Sequence, residues 1–402
     1  MERRDIVTYS SGGGFGAGTL YVVKANNGAI YLFGSGGAGQ TTPNLPFYTK
    51  STDNGITWSY PVVLKTGVTT TQISIWYDRW SGLNSDYIHV VYTDSTSDDT
   101  FYRNINTASS DALSTEVTIF LGLATASRPW ISISVARGGN IYCLLMINAG
   151  TERDFVRSTD NGATWTSRTL APVITQFSQW ILIPSWNADN QDMMLIYLTE
   201  TSTSNLIRYL YDDSADTWDA GTNILTGLVS TTFAATYKFS ATVDLANSRN
   251  IISVWNRFNT VGAVLKCYTV TETTITAVTD VVASSGGNQA MTSIALNTAT
   301  NTWYVFYGGS QAGTDTYLTS MKFYYKYSTD GGTTWSSEIL LTDANKTYGY
   351  TTTLIAYLSC TPQFTNNFYV TFLNYYVSGV QSTRILNINT PFPTVSGTIT
   401  AG

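Results

Sequence analysis

Along most of this chain apolar and polar residues alternate with a period of two, in runs of roughly four to eight residues, the pattern of short strands with one buried face. The runs come in fours. Thr19–Lys24, Ala29–Phe33, Phe47–Ser51 and Thr57–Leu64 make one set. Trp130–Val135, Asn140–Met146, Phe155–Ser158 and Thr164–Leu170 repeat it, and so do Met291–Leu296, Thr302–Tyr307, Lys322–Ser328 and Thr334–Leu341.

Between the third and fourth runs of these sets stands the same octet. Ser51-Thr52-Asp53-Asn54-Gly55-Ile56-Thr57-Trp58, Ser158-Thr159-Asp160-Asn161-Gly162-Ala163-Thr164-Trp165 and Ser328-Thr329-Asp330-Gly331-Gly332-Thr333-Thr334-Trp335 all fit S-x-D-x-G-x-T-W. Degenerate copies carry Asp111, in Ser109–Thr115, and Asp213, in Asp213–Trp218. From Asp53 to Asp330 there are 277 residues over five steps, about 55 each, with a turn near Glu272-Thr273 supplying the step that lacks the motif. The octet has a mechanical meaning. Its Asp can accept hydrogen bonds from the N–H groups just ahead, its Gly allows a positive φ, and its Trp buries a large apolar face.

Four-stranded sheets recurring at a fixed period predict an all-β chain folded as a single β-propeller domain over residues 1–402. At that period the 402 residues hold about seven antiparallel blades, with six as the alternative. The last set has only three runs, Thr353–Leu358, Phe368–Asn374 and Ser382–Asn387. Residues 1–10, through Asp5–Tyr9, are therefore expected to supply the missing outer strand and close the ring. Val395–Thr400, in the tail 393–402, is the competing strand. Closure matters because an open ring leaves two bare sheet edges.

Composition narrows the partners. Only 12% of residues are charged, the net charge is -6 and nothing resembles a basic stripe, which argues against nucleic acid. No apolar stretch reaches the ~20 residues of a membrane span, so no membrane insertion is expected. Met1-Glu2-Arg3-Arg4-Asp5 leads into Ile6 without the apolar core of a signal peptide, and the cellular location is left open. Cys143, Cys267 and Cys360 each lie in an apolar run and read as buried free thiols. One histidine, His89, excludes a multi-His zinc site, and neither a metal nor a cofactor is expected.

The octets resemble the Asp boxes, or BNR repeats, of the sialidase-like superfamily. That resemblance implies that Asp53, Asp111, Asp160, Asp213 and Asp330 are structural residues of third-to-fourth-strand turns, on the face away from the active site. It also implies six blades. The family's Arg-Ile-Pro motif is missing, Arg3-Arg4-Asp5-Ile6 being the nearest string, and no Tyr–Glu pair or arginine triad can be matched. Related propellers include glucan hydrolases, sorting receptors and photosystem assembly factors, so fold alone does not choose an activity.

Ligands of propellers meet the loops that lead into the innermost strands. The candidate ligand-binding residues there are Gln72, Arg128, Trp130, Gln179, Lys238, Gln289 and Tyr350. Amides and cations can hold sugar hydroxyls or an anion, and an indole can stack on a sugar. If the chain is a hydrolase, Asp94, Glu152 and Glu200 are the acids, since two facing carboxyls are needed. Two classes of function stay open. One is a non-catalytic propeller that binds glycans or serves in assembly, foremost as a phage-type virion or host-recognition component whose partners are glycans or other virion proteins. The other is a glycoside hydrolase, sialidase-like or glucan-active. The missing sialidase signatures and the few acids favour the first.

Overall fold

The computed structural model describes residues 2–10, 22–35, 45–77, 86–122, 130–147, 152–172, 177–199, 204–228, 239–257, 261–286, 290–309, 322–341, 358–360, 363–364, 367–377 and 380–389. Their strands form seven sheets, and six of these are blades, each drawn from one continuous stretch of chain.

Blade I runs from the axis outward through Val22–Lys24, Ile30–Ser35, Pro46–Ser51 and Val62–Val63. Blade II has Thr70–Tyr77, Tyr87–Asp94, Asp99–Asn106 and Val117–Phe120. Blade III has Trp130–Val135, Ile141–Ile147, Glu152–Ser158 and Thr166–Ser167. Blade IV has Phe177–Pro184, Met193–Thr199, Ser204–Asp212 and, at its rim, Thr217–Trp218 and Thr222–Leu228. Blade V has Phe239–Asp244, Arg249–Trp255, Leu265–Val270 and Ile275–Ala277. Blade VI has Ala290–Asn297, Thr302–Gly308, Phe323–Ser328 and Ile339–Leu340.

The seventh sheet joins the two ends of the chain. Leu358–Cys360, Asn367–Val377 and Val380–Asn389 are completed by Glu2–Ser10, with Glu2 opposite Asn387 and Ser10 opposite Val380. Closure by the N-terminal strand is thus as expected. Seven like blades are not: six blades result, and dividing length by period counted the closing sheet as one more. The competing tail strand lies outside the described residues.

Hydrophobic seams glue each blade to the next. Between blades III and IV, Tyr142, Leu144 and Phe155 meet Trp180, Leu195 and Tyr211, and the Phe155 and Tyr211 rings stand edge-to-face at 4.9 Å. Trp180, Trp255 and Trp303 are fully buried, and truncating any of them to Ala would cost ~3–5 kcal/mol. The three cysteines are buried free thiols.

The octets occupy the bends between third and fourth strands of blades I, III and VI, as the sequence implied. In each the Asp carboxylate accepts the N–H of the Thr four residues on, Thr57, Thr164 or Thr334, at 2.8–2.9 Å. The same Thr hydroxyl donates to the second oxygen at 2.5–2.6 Å, and the octet Ser hydroxyl donates to the first at 2.8 Å. These bonds, the Thr hydroxyl foremost, hold all three carboxyls down at about 2. Two successive residues take positive φ, Asn54-Gly55, Asn161-Gly162 and Gly331-Gly332, which is why Asn and Gly stand there. A side chain on Gly162 would also collide with the Tyr102 ring of blade II.

The two degenerate copies also stand on bends after third strands, but their carboxylates bond differently. Asp111 caps no bend: it accepts from Tyr31 Oη at 2.5 Å and Lys50 Nζ at 2.7 Å, both on blade I. Asp213 takes both its oxygens to Arg157 Nη1 of blade III at 2.8 Å, with Arg168 at 3.3 Å. The bends themselves are capped by Asn106, which accepts from Ala108 and Ser109, and by Asp212, which accepts from Ala215 and Ser214. Blade V turns at the place predicted near Glu272-Thr273, where Thr271 Oγ1 rather than a carboxylate accepts the Thr274 N–H. The fourth strands are shorter than predicted because the octet Thr and Trp belong to the bend. Trp58 and Trp165 donate their indole N–H to Gly55 and Gly162 carbonyls.

Candidate functional site

The octets mark one face of the ring. The opposite face carries the second-to-third-strand loops and the blade-to-blade connections, and the innermost strands start there, around the axis. Two devices of this inner wall were not read from the sequence.

The first is a relay of serines. Ser74 Oγ accepts the N–H of Ile133 on the next blade, Ser132 accepts Leu182 N–H, and Ser240 accepts Ile294 N–H, each at 3.2 Å. Ser293 continues the series, with its Oγ 2.9 Å from Cys360 Sγ of the closing sheet. Parallel inner strands do not pair directly here, so a short hydroxyl side chain bridges them. The signal was present as Ile73-Ser74-Ile75 and Ile131-Ser132-Ile133, a hydroxyl flanked by two apolar residues. At the octet end, Gln363 and Phe364 pair in parallel with Leu296 and Asn297, and Gln363 Nε2 donates to Val243 O of blade V.

The second device is a bulge at the head of the inner strand in blades II, IV and VI. Register slips between Thr70 and Ile73, between Phe177 and Gln179, and between Ala290 and Thr292. Met291, inside the third bulge, has φ +55, an unusual value for a residue with a long side chain. Bulges at strand ends re-aim side chains and concentrate beside binding sites.

Among the sequence candidates, the structure describes Gln72, Gln179, Asp94 and the backbones of Trp130 and Glu152. Arg128, Lys238, Gln289, Tyr350 and Glu200 lie outside the described residues. Gln179 is 1% exposed and spans to blade V, its Nε2 donating to Phe239 O at 2.6 Å and its Oε1 accepting Phe239 N–H at 3.1 Å. Gln72 donates its backbone N–H to Thr93 Oγ1 at 3.1 Å, while its side-chain Oε1 is buried without a hydrogen-bond partner. Trp130 opens the inner strand of blade III opposite Met146, and Glu152 opens the third strand opposite Ile147.

Asp94 ends the second strand of blade II and is 5% exposed. It accepts Thr69 N–H at 2.8 Å, Thr96 N–H at 3.0 Å, Ser97 N–H at 3.2 Å and Ser97 Oγ at 2.9 Å. Burial alone would raise this carboxyl, but those donors outweigh it and hold it below its usual value. Asp94 therefore staples the loop after blade I to the loop of blade II. Asp154, on the third strand of blade III, is the opposite case: burial pushes its carboxyl up.

Among the described residues, Tyr92 pairs with Glu116 at 2.8 Å and Tyr307 with Glu338 at 2.9 Å. Both tyrosines are fully buried in the seams between blades, and burial pushes both phenols far up, the reverse of what a nucleophile needs. His89 is likewise a seam residue, its Nδ1 2.8 Å from Tyr102 Oη, and burial pushes it down to about 3. Among the described residues, no three His, Cys, Asp or Glu side chains gather where they could hold a metal ion. No helix among them is long and apolar enough to cross a membrane.

Similarity to known proteins comes from structure alone. No protein-family profile and no curated protein sequence matches the chain. An ulvan lyase of polysaccharide lyase family PL25 is similar with a TM-score of 0.56 at 11% identity, over 96% of both chains. The same kind of lyase bound to -[GlcA(1-4)Rha3S]- gives 0.51, again at 11% identity and 96% of both chains. The NanB sialidase of Streptococcus pneumoniae gives 0.47 at 10% identity, over 76% of this chain and 67% of that one. The fold is a β-propeller, as in the ulvan lyase. At such identities the likeness speaks for the fold and for nothing finer.

Proposed function

We propose that this chain is a non-catalytic, glycan-binding Asp-box propeller that meets its ligand at the axial mouth opposite the octets. The observation that carries the reading is the state of Asp94. It is a described carboxylate on that face, and three N–H groups and a hydroxyl occupy it as a loop staple. An acid held ionised and bonded in this way is a poor proton donor. The ulvan lyase shares the fold and, by its own description, has been seen with a bound saccharide. The low charge and the Ser, Thr, Asn and Gly richness favour a virion or host-recognition role of phage type, with glycans or other virion proteins as partners.

A glycan array with a parallel turnover assay tests this reading. Retention of glycans without release of reducing ends or of unsaturated products is the expected result. A second reading, a glycoside hydrolase, is favoured by Asp154, whose raised carboxyl suits a general acid. Saccharide cleavage that Asp154→Asn abolishes, or that substitution of Glu152 or Glu200 abolishes, would establish the enzyme and end the first reading.

A further inference from the structure

Asn-Gly steps occur at three places in the chain, Asn27-Gly28, Asn54-Gly55 and Asn161-Gly162, and the last two lie inside octets. Such a step is chemically fragile, because glycine has no side chain to keep its nitrogen from the neighbouring amide carbon. Whether it reacts depends on what holds that nitrogen and how firmly the bend is fixed.

In both octets the serine holds it. Gly55 N–H donates to Ser51 Oγ at 2.7 Å, and Gly162 N–H to Ser158 Oγ at 2.8 Å. The surroundings differ. Blade II clamps the bend of blade III: the Asn161 carbonyl accepts Tyr102 Oη at 3.3 Å and Asn104 Nδ2 at 3.0 Å, and Gly162 is buried against the Tyr102 ring. At blade I, Asn54 is exposed, and a Cβ on Gly55 would meet only Trp58 of its own loop, at 3.8 Å. Asn27 is tied at both ends of its amide, Nδ2 donating to Thr107 O at 2.8 Å and Oδ1 accepting Ala29 N–H at 2.9 Å.

We infer that Asn54 is the protein's site of spontaneous deamidation and isoaspartate formation, and that Ser51 sets its pace. Hydroxide removes the Gly55 amide proton, and the nitrogen bonds to Asn54 Cγ. The Cγ–Nδ2 bond breaks, and ammonia leaves with a proton taken from water. A second water opens the ring imide at either carbonyl, leaving aspartate or isoaspartate at position 54. Isoaspartate lengthens the main chain inside the bend, which carries Thr57 away from the Asp53 carboxylate. Gly331 fills the equivalent place in blade VI at φ +70, so the bend itself needs no amide there.

The test is ageing in mildly alkaline buffer below the melting temperature, with peptide mapping by mass spectrometry and a parallel series in denaturant. In denaturant the three steps should convert at similar rates. In the folded protein, position 54 should convert first while 27 and 161 stay intact, and more slowly than in denaturant. Ser51→Ala should raise the folded rate at 54 about fivefold, the worth of one hydrogen bond, and leave the denatured rate unchanged. Ser51→Cys, a weaker acceptor of the same shape, should raise it less and covers a failure of the alanine variant to fold. Asn54→Gly should keep the fold, yield no product there and hold its melting temperature through ageing. Folded conversion at 27 or 161 as fast as at 54, or none at 54, would overturn the site. A folded rate at 54 that equals the denatured one, or that both serine variants leave unchanged, would overturn the role of Ser51.

Discussion

At the outer bend of blade III, Asp160 turns inward on its own loop and collects Ser158, Thr164 N–H and Thr164 Oγ1. At the corresponding bend of blade IV, Asp213 turns away to the arginines of blade III, and its neighbour Asp212 takes over the capping. Blades I and II repeat the contrast, Asp53 capping its own loop and Asp111 reaching back to Lys50 and Tyr31. In the octets a Gly stands two residues after the Asp and the carboxylate finds its donors locally. Asp111 and Asp213 keep the Thr four residues on, but Leu113 and Ala215 replace the Gly and the carboxylate bonds across the seam. One residue type at one place in the repeat thus fastens either a loop or a pair of blades, and the two jobs differ in energy.

The seam acids should matter most. Asp213→Ala would leave Arg157 and Arg168 without their shared counter-charge in a largely buried site, at a cost of about 3 kcal/mol. Denaturant titration reads this, and a loss no larger than that of an exposed charge would break the distinction. Asp111→Ala should cost less, about 1–2 kcal/mol, since it loses one cation and one phenol donor. A double-mutant cycle with Lys50→Met would sharpen the point by showing coupling across the seam.

The octet acids come last. Asp160→Asn should lower the melting temperature by only about 2–4 °C. Its effect should depend on pH in a definite sense. The folded carboxyl sits at about 2 against an ordinary 3.8, so its contribution is complete above that ordinary value and fades as the pH falls towards 2. Wild type and variant should therefore differ most above about pH 5 and converge in strong acid. A difference that grows on acidification would sink the account of the octet.

The contrast also explains what could be read from residues alone. The octet is legible because its hydrogen bonds close within seven residues, so Asp53, Asp160 and Asp330 were placed on the right bends. Asp111 and Asp213 carry the same period but bond to residues 45 to 80 positions away, and no local pattern records such partners. The bulges at Gln72, Gln179 and Met291 were invisible for a related reason. A bulge is a mismatch between two strands, and neither strand alone contains it. The serine relay was missed although Ile-Ser-Ile was in plain view, because a hydroxyl between apolar neighbours is also how an ordinary half-buried strand looks.

The sheet that ties Glu2–Ser10 to Val380–Asn389 has a temporal consequence. Glu2–Ser10 is synthesised some 370 residues before the strand it pairs with. Each contact in that sheet spans most of the chain, so its formation waits on a rare encounter between distant ends. Until then the nascent protein displays a lone extended segment and an uncapped sheet margin, both invitations to pair with another molecule. Synthesis at low temperature or beside a holdase chaperone should therefore raise the soluble yield, and joining the ends in a circular permutant opened elsewhere should hasten refolding.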